Sequence, residues 1–126
     1  MCAMAWGYSI HVDMQQCGDQ IPCYLSPEES SSGRIILNDF SEKLISLIDM
    51  ERYGPPLIEW FGKQGCEGYS LVQLITTSCL TIHTTRDNRV YLDLFSCKPY
   101  SETEVMEFCR YFFRPGKISH HYITRE

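Results

Sequence analysis

Apolar and polar residues alternate from Gly7 to Met14 (GYSIHVDM), so Tyr8, Ile10, Val12 and Met14 fall on one face, as in a half-buried strand. The pattern then breaks. Residues 17–33 are polar, rich in Ser, Pro and Gly, and end in SPEESSSG, which predicts a long mobile loop. Helical spacing follows in NDFSEKLISLIDMERYG. Asn38 or Asp39 is placed to cap it, Phe40, Leu44, Leu47 and Ile48 form its apolar stripe, and Gly54 with Pro55 and Pro56 stops it. LIEWF (57–61) reads as a short strand and GKQGCEG as a loop. YSLVQLITTSCLTIHT (69–84) reads as one long strand, joined through the polar turn TRDN to a further strand, RVYLDLFSC (89–97). In KPYSETEVMEFCRYFF, Ser101 is a natural N-cap with Glu104 three residues on, and Val105, Phe108 and Phe112 face inward. Arg114–Pro115–Gly116 ends that helix, and KISHHYIT makes a last strand.

The order strand, helix, three strands, helix, strand predicts an α+β fold. It is a two-layer sandwich with two helices on one face of a mostly antiparallel sheet, in a single domain spanning 1–126.

A net charge of -5 argues against a nucleic-acid surface. No apolar run approaches the ~20 residues needed to span a bilayer, so no membrane is expected. The start, MCAMAWGYS, lacks the charged n-region and long h-region of an export signal, and a cytoplasmic location is expected. The seven cysteines (Cys2, Cys17, Cys23, Cys66, Cys79, Cys97, Cys109) are odd in number and show no CxxC or other metal-ligand spacing. They read as free thiols in a reducing compartment. His120 and His121 are adjacent and point to opposite faces of a strand, so they share no metal; none is expected. No glycine-rich phosphate loop occurs.

One segment needs chemistry to explain it. LITTSCLTIHT (74–84) sets hydroxyls, a thiol and an imidazole in an apolar run, and each buried polar atom there needs a partner. Read as one strand, it puts Ser78 with Thr76 and Leu80 on one face, and Thr77, Cys79, Thr81 and His83 on the other. A serine hydroxyl beside the Thr77 carbonyl can attack it where the backbone is strained, which moves the acyl group from nitrogen to oxygen. β-Elimination from that ester cuts the chain and leaves a pyruvoyl group. The chemistry needs a hydroxyl, an oxyanion donor and a proton-transfer group, and the segment offers all three. On spacing alone, a polar strand edge is the simpler reading.

Four motifs bear on that choice: HVDMQQC (11–17), GYS (68–70), TSCLTIHTTRD (77–87) and DLFSCK (93–98). They resemble VDLYGC, GVS, ESHLSIHTWPE and DVFTCG of the small prokaryotic S-adenosylmethionine decarboxylase family, in the same order and along most of the chain. The resemblance implies scission between Thr77 and Ser78, giving a β chain (1–77) and an α chain (78–126) headed by a pyruvoyl group made from Ser78. It implies that His83, assisted by Ser70, serves the elimination. Cys97 would reprotonate the product carbon. The self-made pyruvoyl group would condense with the amine of a small-molecule substrate and act as electron sink, with no separate cofactor. It further implies a homodimer with sites at the subunit interface.

The sequence departs from the family at Thr77 (for Glu), Cys79 (for His), Thr85–Arg86 (for Trp–Pro) and Asp87 (for Glu). In the family, aromatic rings sandwich the adenine and an acid holds the ribose. Phe61, Trp60 or Trp6 are the aromatic residues able to compensate. The chain also resembles a branch with an ETSS…H segment and an FSCKPF strand, some of whose members decarboxylate arginine or ornithine. For a substrate of that kind, Glu67, Asp87 or Asp13 would hold the distal cation. The expected function is a pyruvoyl-dependent decarboxylase in polyamine synthesis, with S-adenosylmethionine and a basic amino acid both open as substrate. The alternative is an uncut chain of the same fold acting as a regulatory or ligand-binding partner.

Overall fold

The computed structural model describes residues 6–18 and 22–126; Cys2 lies outside them. β1 (Gly7–Gln15) leads through a short 3₁₀ turn (Pro22–Tyr24) to α1 (Gly33–Leu47). Four strands follow: β2 (Leu57–Phe61), β3 (Gly68–Ile75), β4 (Ser78–Thr84) and β5 (Val90–Ser96). The chain closes with α2 (Glu102–Phe113) and β6 (Lys117–Arg125). The six strands form one sheet in the order β2-β3-β4-β5-β1-β6, and every pairing is antiparallel.

One face of the sheet carries the apolar set of each strand: Ile10 and Val12, Leu71, Leu80 and Ile82, Leu92 and Leu94, all buried. Against it pack Leu37, Phe40, Leu44 and Ile45 of α1, and Val105, Cys109 and Phe113 of α2. Phe40 joins the two helices, with ring centroids 5.1 Å from Phe108 and 4.8 Å from Phe113. Ser101 caps α2 as expected, accepting from the Glu104 amide at 3.1 Å, and Arg114 closes it in the left-handed conformation (φ 49°). The opposite face has no helix over it. Leu57, Phe61, Val72, Leu74 and Ile123 are exposed there, and Trp6 stacks on Phe95 at 5.9 Å.

Three sequence expectations are corrected. The 69–84 run is not one strand but a tight hairpin: Ile75 pairs with Ser78, and Thr76–Thr77 form the two-residue loop. Nothing in the sequence marks this turn, because such loops favour Asn-Gly or Asp-Gly and here hold two β-branched residues. Four strands, rather than three, therefore lie between the helices. Second, α1 begins at Gly33 and ends at Leu47, so Asn38 lies inside it and accepts from Arg52 at 2.7 Å instead of capping. Its buried stripe includes Leu37 and Ile45, while Leu47 is exposed. Third, the 17–33 stretch is partly built into the core: Cys17, Cys23 and Tyr24 are buried.

Candidate active site

The β3–β4 hairpin and the end of β5 position Ser70, Ser78, His83 and Cys97. Their packing depends on Gly68, whose missing Cβ would lie 1.8 Å from the Thr84 carbonyl oxygen. Only glycine allows the two backbones that close. Thr84 locks the same corner: its hydroxyl donates to the Cys23 carbonyl at 2.8 Å and accepts from the Tyr69 amide at 3.1 Å. The "T" of the IHT motif is thus structural, and it fixes the strand that carries His83.

Ser70 and His83 are cross-strand partners in register, and Ser70 Oγ lies 2.8 Å from His83 Nδ1 on the open face. Ser78 and Cys97 form a second pair. The Cys97 amide donates to Ser78 Oγ at 2.9 Å, and the Cys97 thiol donates to the Thr76 carbonyl at 3.6 Å. Hydrogen bonds from the Thr77 and Ser78 hydroxyls hold the Cys97 thiol below its ordinary pKa, whereas burial pushes the Cys79 thiol up. Ser78 is buried on the helix-facing side, while the flanking Thr76 and Thr77 are exposed.

The two pairs are not brought together. Ser78 opens β4 and faces the helices; His83 stands near the other end and faces away. Five residues of strand put about 17 Å between their α-carbons. Cys79, Thr81 and His83 share the open face as expected, but Thr77 belongs to the turn.

Phe61, Glu67 and Asp87 do converge with Ser70 and His83. With Arg86 they line an open groove of about 750 Å³ at the His83 end of the sheet. Phe61 is 53% exposed, enough to receive a ligand. Glu67 accepts the Gly65 amide on one oxygen at 3.2 Å and forms no ion pair among the described residues. Asp87 already has partners: it accepts from Thr85 Oγ1 at 2.5 Å and pairs with Arg89 Nε at 3.1 Å. The Thr85 bond leads the effects that keep its carboxyl below the ordinary range. Arg86 is held by Glu29 through two bonds of 2.5 and 2.6 Å, and this bidentate contact lowers the Glu29 pKa to about 2. Sequence reading missed this pair, because Glu29 sits 57 positions away in an unpatterned polar stretch. Of the aromatic candidates, Trp60 packs edge-on against Tyr69 at 5.1 Å and Trp6 lies on Phe95, both away from the groove lining. Asp13 is exposed on β1, outside the groove, and no group of residues among those described could hold a metal. No helix among the described residues is long and apolar enough to cross a membrane.

The sequence profile of the S-adenosylmethionine decarboxylase family matches residues 9–126. The chain belongs to that family. Its fold is also that of the family: the crystal structure of the adenosylmethionine decarboxylase from Aquifex aeolicus superposes with a TM-score of 0.71 at 15% identity. The match covers 98% of this chain and 92% of that one. No curated protein matches the chain by sequence. Membership in a decarboxylase family gives the Ser78–Cys97 and Ser70–His83 pairs a chemical context that a polar strand edge does not.

Proposed function

We propose that the chain is a self-processing, pyruvoyl-dependent decarboxylase that works as a homodimer on a small basic α-amino acid such as arginine or ornithine. The observation that carries this reading is the Ser78–Cys97 pair, where the exposed Thr77 meets the buried Ser78. In the processing reaction, Ser78 Oγ bonds to the Thr77 carbonyl carbon, the C–N bond breaks, and the hydroxyl proton ends on the freed amine. A base then removes the Ser78 α-proton, the Oγ–Cβ bond breaks, and Thr77 leaves as the carboxylate of the β chain. The dehydroalanine left at position 78 tautomerises to an imine, takes up water and releases ammonia, giving the ketone. The residues present fit such a group: Ser78 Oγ already accepts an amide N–H, and the Cys97 thiol stands beside it. The pyruvoyl group supplies the electron sink for loss of carbon dioxide. Cys97 holds the proton that the product carbon takes up.

The base is His83, oriented by Ser70, and it comes from a second copy of the chain. Within one chain it stands at the wrong end and on the wrong face of β4. Packing two open faces, with a two-fold axis crossing the strands, sets the His83 end of one β4 against the Ser78 end of the other. Sheets packed this way lie ~10 Å apart. Exposed Leu57, Val72 and Leu74 on β2 and β3, and Ile123 on the opposite edge strand, lie on the face such packing would bury.

The groove supports a basic amino acid as the substrate class. The Trp–Pro of the family is Thr85–Arg86 here, Arg86 is tied to Glu29, and Asp87 is spent on Thr85 and Arg89. Besides Lys63, the groove also holds Glu67, whose carboxylate accepts the Gly65 amide and forms no ion pair among the described residues, and the exposed ring of Phe61. Those groups favour a cationic side chain such as that of arginine or ornithine over a nucleoside. Release of carbon dioxide from carboxyl-labelled arginine, ornithine and S-adenosylmethionine tests both parts. Release from a basic amino acid, lost in Ser78→Ala, is expected. Equal release from Ser78→Ala refutes the pyruvoyl reading, and release from S-adenosylmethionine alone refutes the substrate assignment.

A further inference from the structure

Thr76–Thr77 is an unusual choice for a two-residue hairpin loop. Thr77 has φ 45°, in the left-handed region that glycine and asparagine enter readily and β-branched residues avoid. Four other non-glycine described residues have positive φ: Gln16, Asp49, Asn88 and Arg114, none of them β-branched. Thr77 is also exposed, so no core packing demands a threonine there. Its hydroxyl is used locally: it donates to the Thr76 carbonyl at 2.9 Å, the same carbonyl that accepts from the Cys97 thiol. The residue held in this conformation is the one whose carbonyl Ser78 must attack. A local rule broken next to reacting atoms is the pattern by which backbone strain serves a mechanism.

We propose that Thr77 is a positioning residue whose strained left-handed backbone drives the chain's own scission. This rests on the reading that the chain cuts between Thr77 and Ser78. The driving force is geometric. In the peptide, the Thr77 carbonyl carbon connects to the Ser78 α-carbon through two bonds; in the ester it connects through three, by way of Oγ and Cβ. The tight loop gains a bond, and Thr77 relaxes toward negative φ. Strain present in the intact turn and relieved as C–N gives way to C–O lowers the barrier. The β-branch of Thr77 is what creates the strain, and the hydroxyl is secondary.

Three variants separate these causes. Thr77→Val keeps the branch and removes the hydroxyl; Thr77→Gly and Thr77→Asn remove the branch. Scission is followed in freshly synthesised protein by denaturing mass spectrometry over time. Thr77→Val is expected to cut within about threefold of the parent, and the Gly and Asn variants about tenfold more slowly, equivalent to ~1.4 kcal/mol of barrier. Thermal unfolding in the uncut Ser78→Ala background gives an independent readout: Thr77→Asn should raise the midpoint, because the strain is gone with no cleavage to use it. Parent-like cutting by the Gly and Asn variants overturns the inference, as does slow cutting by Val, or a midpoint unchanged by Asn. A parent chain that never cuts overturns the proposed function instead, and the unfolding result then still decides whether Thr77 is strained.

Discussion

Ser78 and His83 occupy opposite ends and opposite faces of β4, although only five positions separate them. In the proposed reading, His83 acts as base on the Ser78 of a second copy of the chain. Mixing two inactive chains tests this. Ser78→Ala cannot be cut but still carries His83; His83→Ala keeps its serine but lacks the base. Each alone should stay whole or nearly so, with cutting slowed about a hundredfold or more for His83→Ala. Co-expressed, the His83→Ala chain should be cut in up to half of the assemblies. Failure of the mixture to cut, with mixed assemblies demonstrated by native mass spectrometry, would contradict the shared site.

The Cys97 thiol should titrate early. The Thr77 and Ser78 hydroxyls favour its thiolate, so its midpoint lies below the ordinary 9.0 and the protonated form is lost at lower pH than in a free thiol. In the uncut Ser78→Ala chain the larger influence, Thr77, remains. Alkylation of Cys97 across a pH series, read by peptide mass, should show a midpoint below 9.0 that moves back up in Ser78→Ala/Thr77→Val. In the processed enzyme, Cys97→Ala should leave cutting intact and lower turnover about a hundredfold or more, the usual size of a proton-transfer contribution.

Glu67 is the groove's free acid. Glu67→Gln should raise KM for a basic amino acid about ten- to a hundredfold while kcat stays within a few fold, the loss of one charge-assisted bond. Asp87→Asn should change KM little, because both of its oxygens serve the Thr85–Arg89 turn. A larger KM effect at Asp87 than at Glu67 would reverse the assignment.

Gly68→Ala should destabilise the fold by ~1–3 kcal/mol, since the added carbon meets the Thr84 backbone rather than a side chain that can turn away. Thermal or denaturant unfolding of the Ser78→Ala form, free of cleavage, measures it. A change below a few tenths would mean that the Gly68–Thr84 approach is not required.

The layers of this fold were legible because period-two and period-3.6 patterns are enforced by burial. Tyr8 to Met14, Ser101 with Glu104, and the LIEWF strand all read correctly for that reason. The Thr76–Thr77 turn was not, since a strained loop violates the very preferences by which turns are read. The start of α1 was hidden behind SPEESSSG, where Ser32 takes the cap position without a side-chain bond. At the site, the spacing from Ser78 to His83 and Cys97 named side chains that the fold divides into two separate pairs, Ser70 with His83 and Ser78 with Cys97, which a list of positions does not show. The Arg86–Glu29 contact joins segments too distant for any local pattern, and only the folded chain reveals it.

The most direct measurement is the denatured mass of wild-type protein as it ages after synthesis. The account predicts that the 14.7 kDa chain gives way to two fragments meeting between Thr77 and Ser78, the larger ending in Thr77 and the smaller lacking a free amino terminus. A folded wild-type chain that persists at 14.7 kDa after prolonged incubation would contradict it.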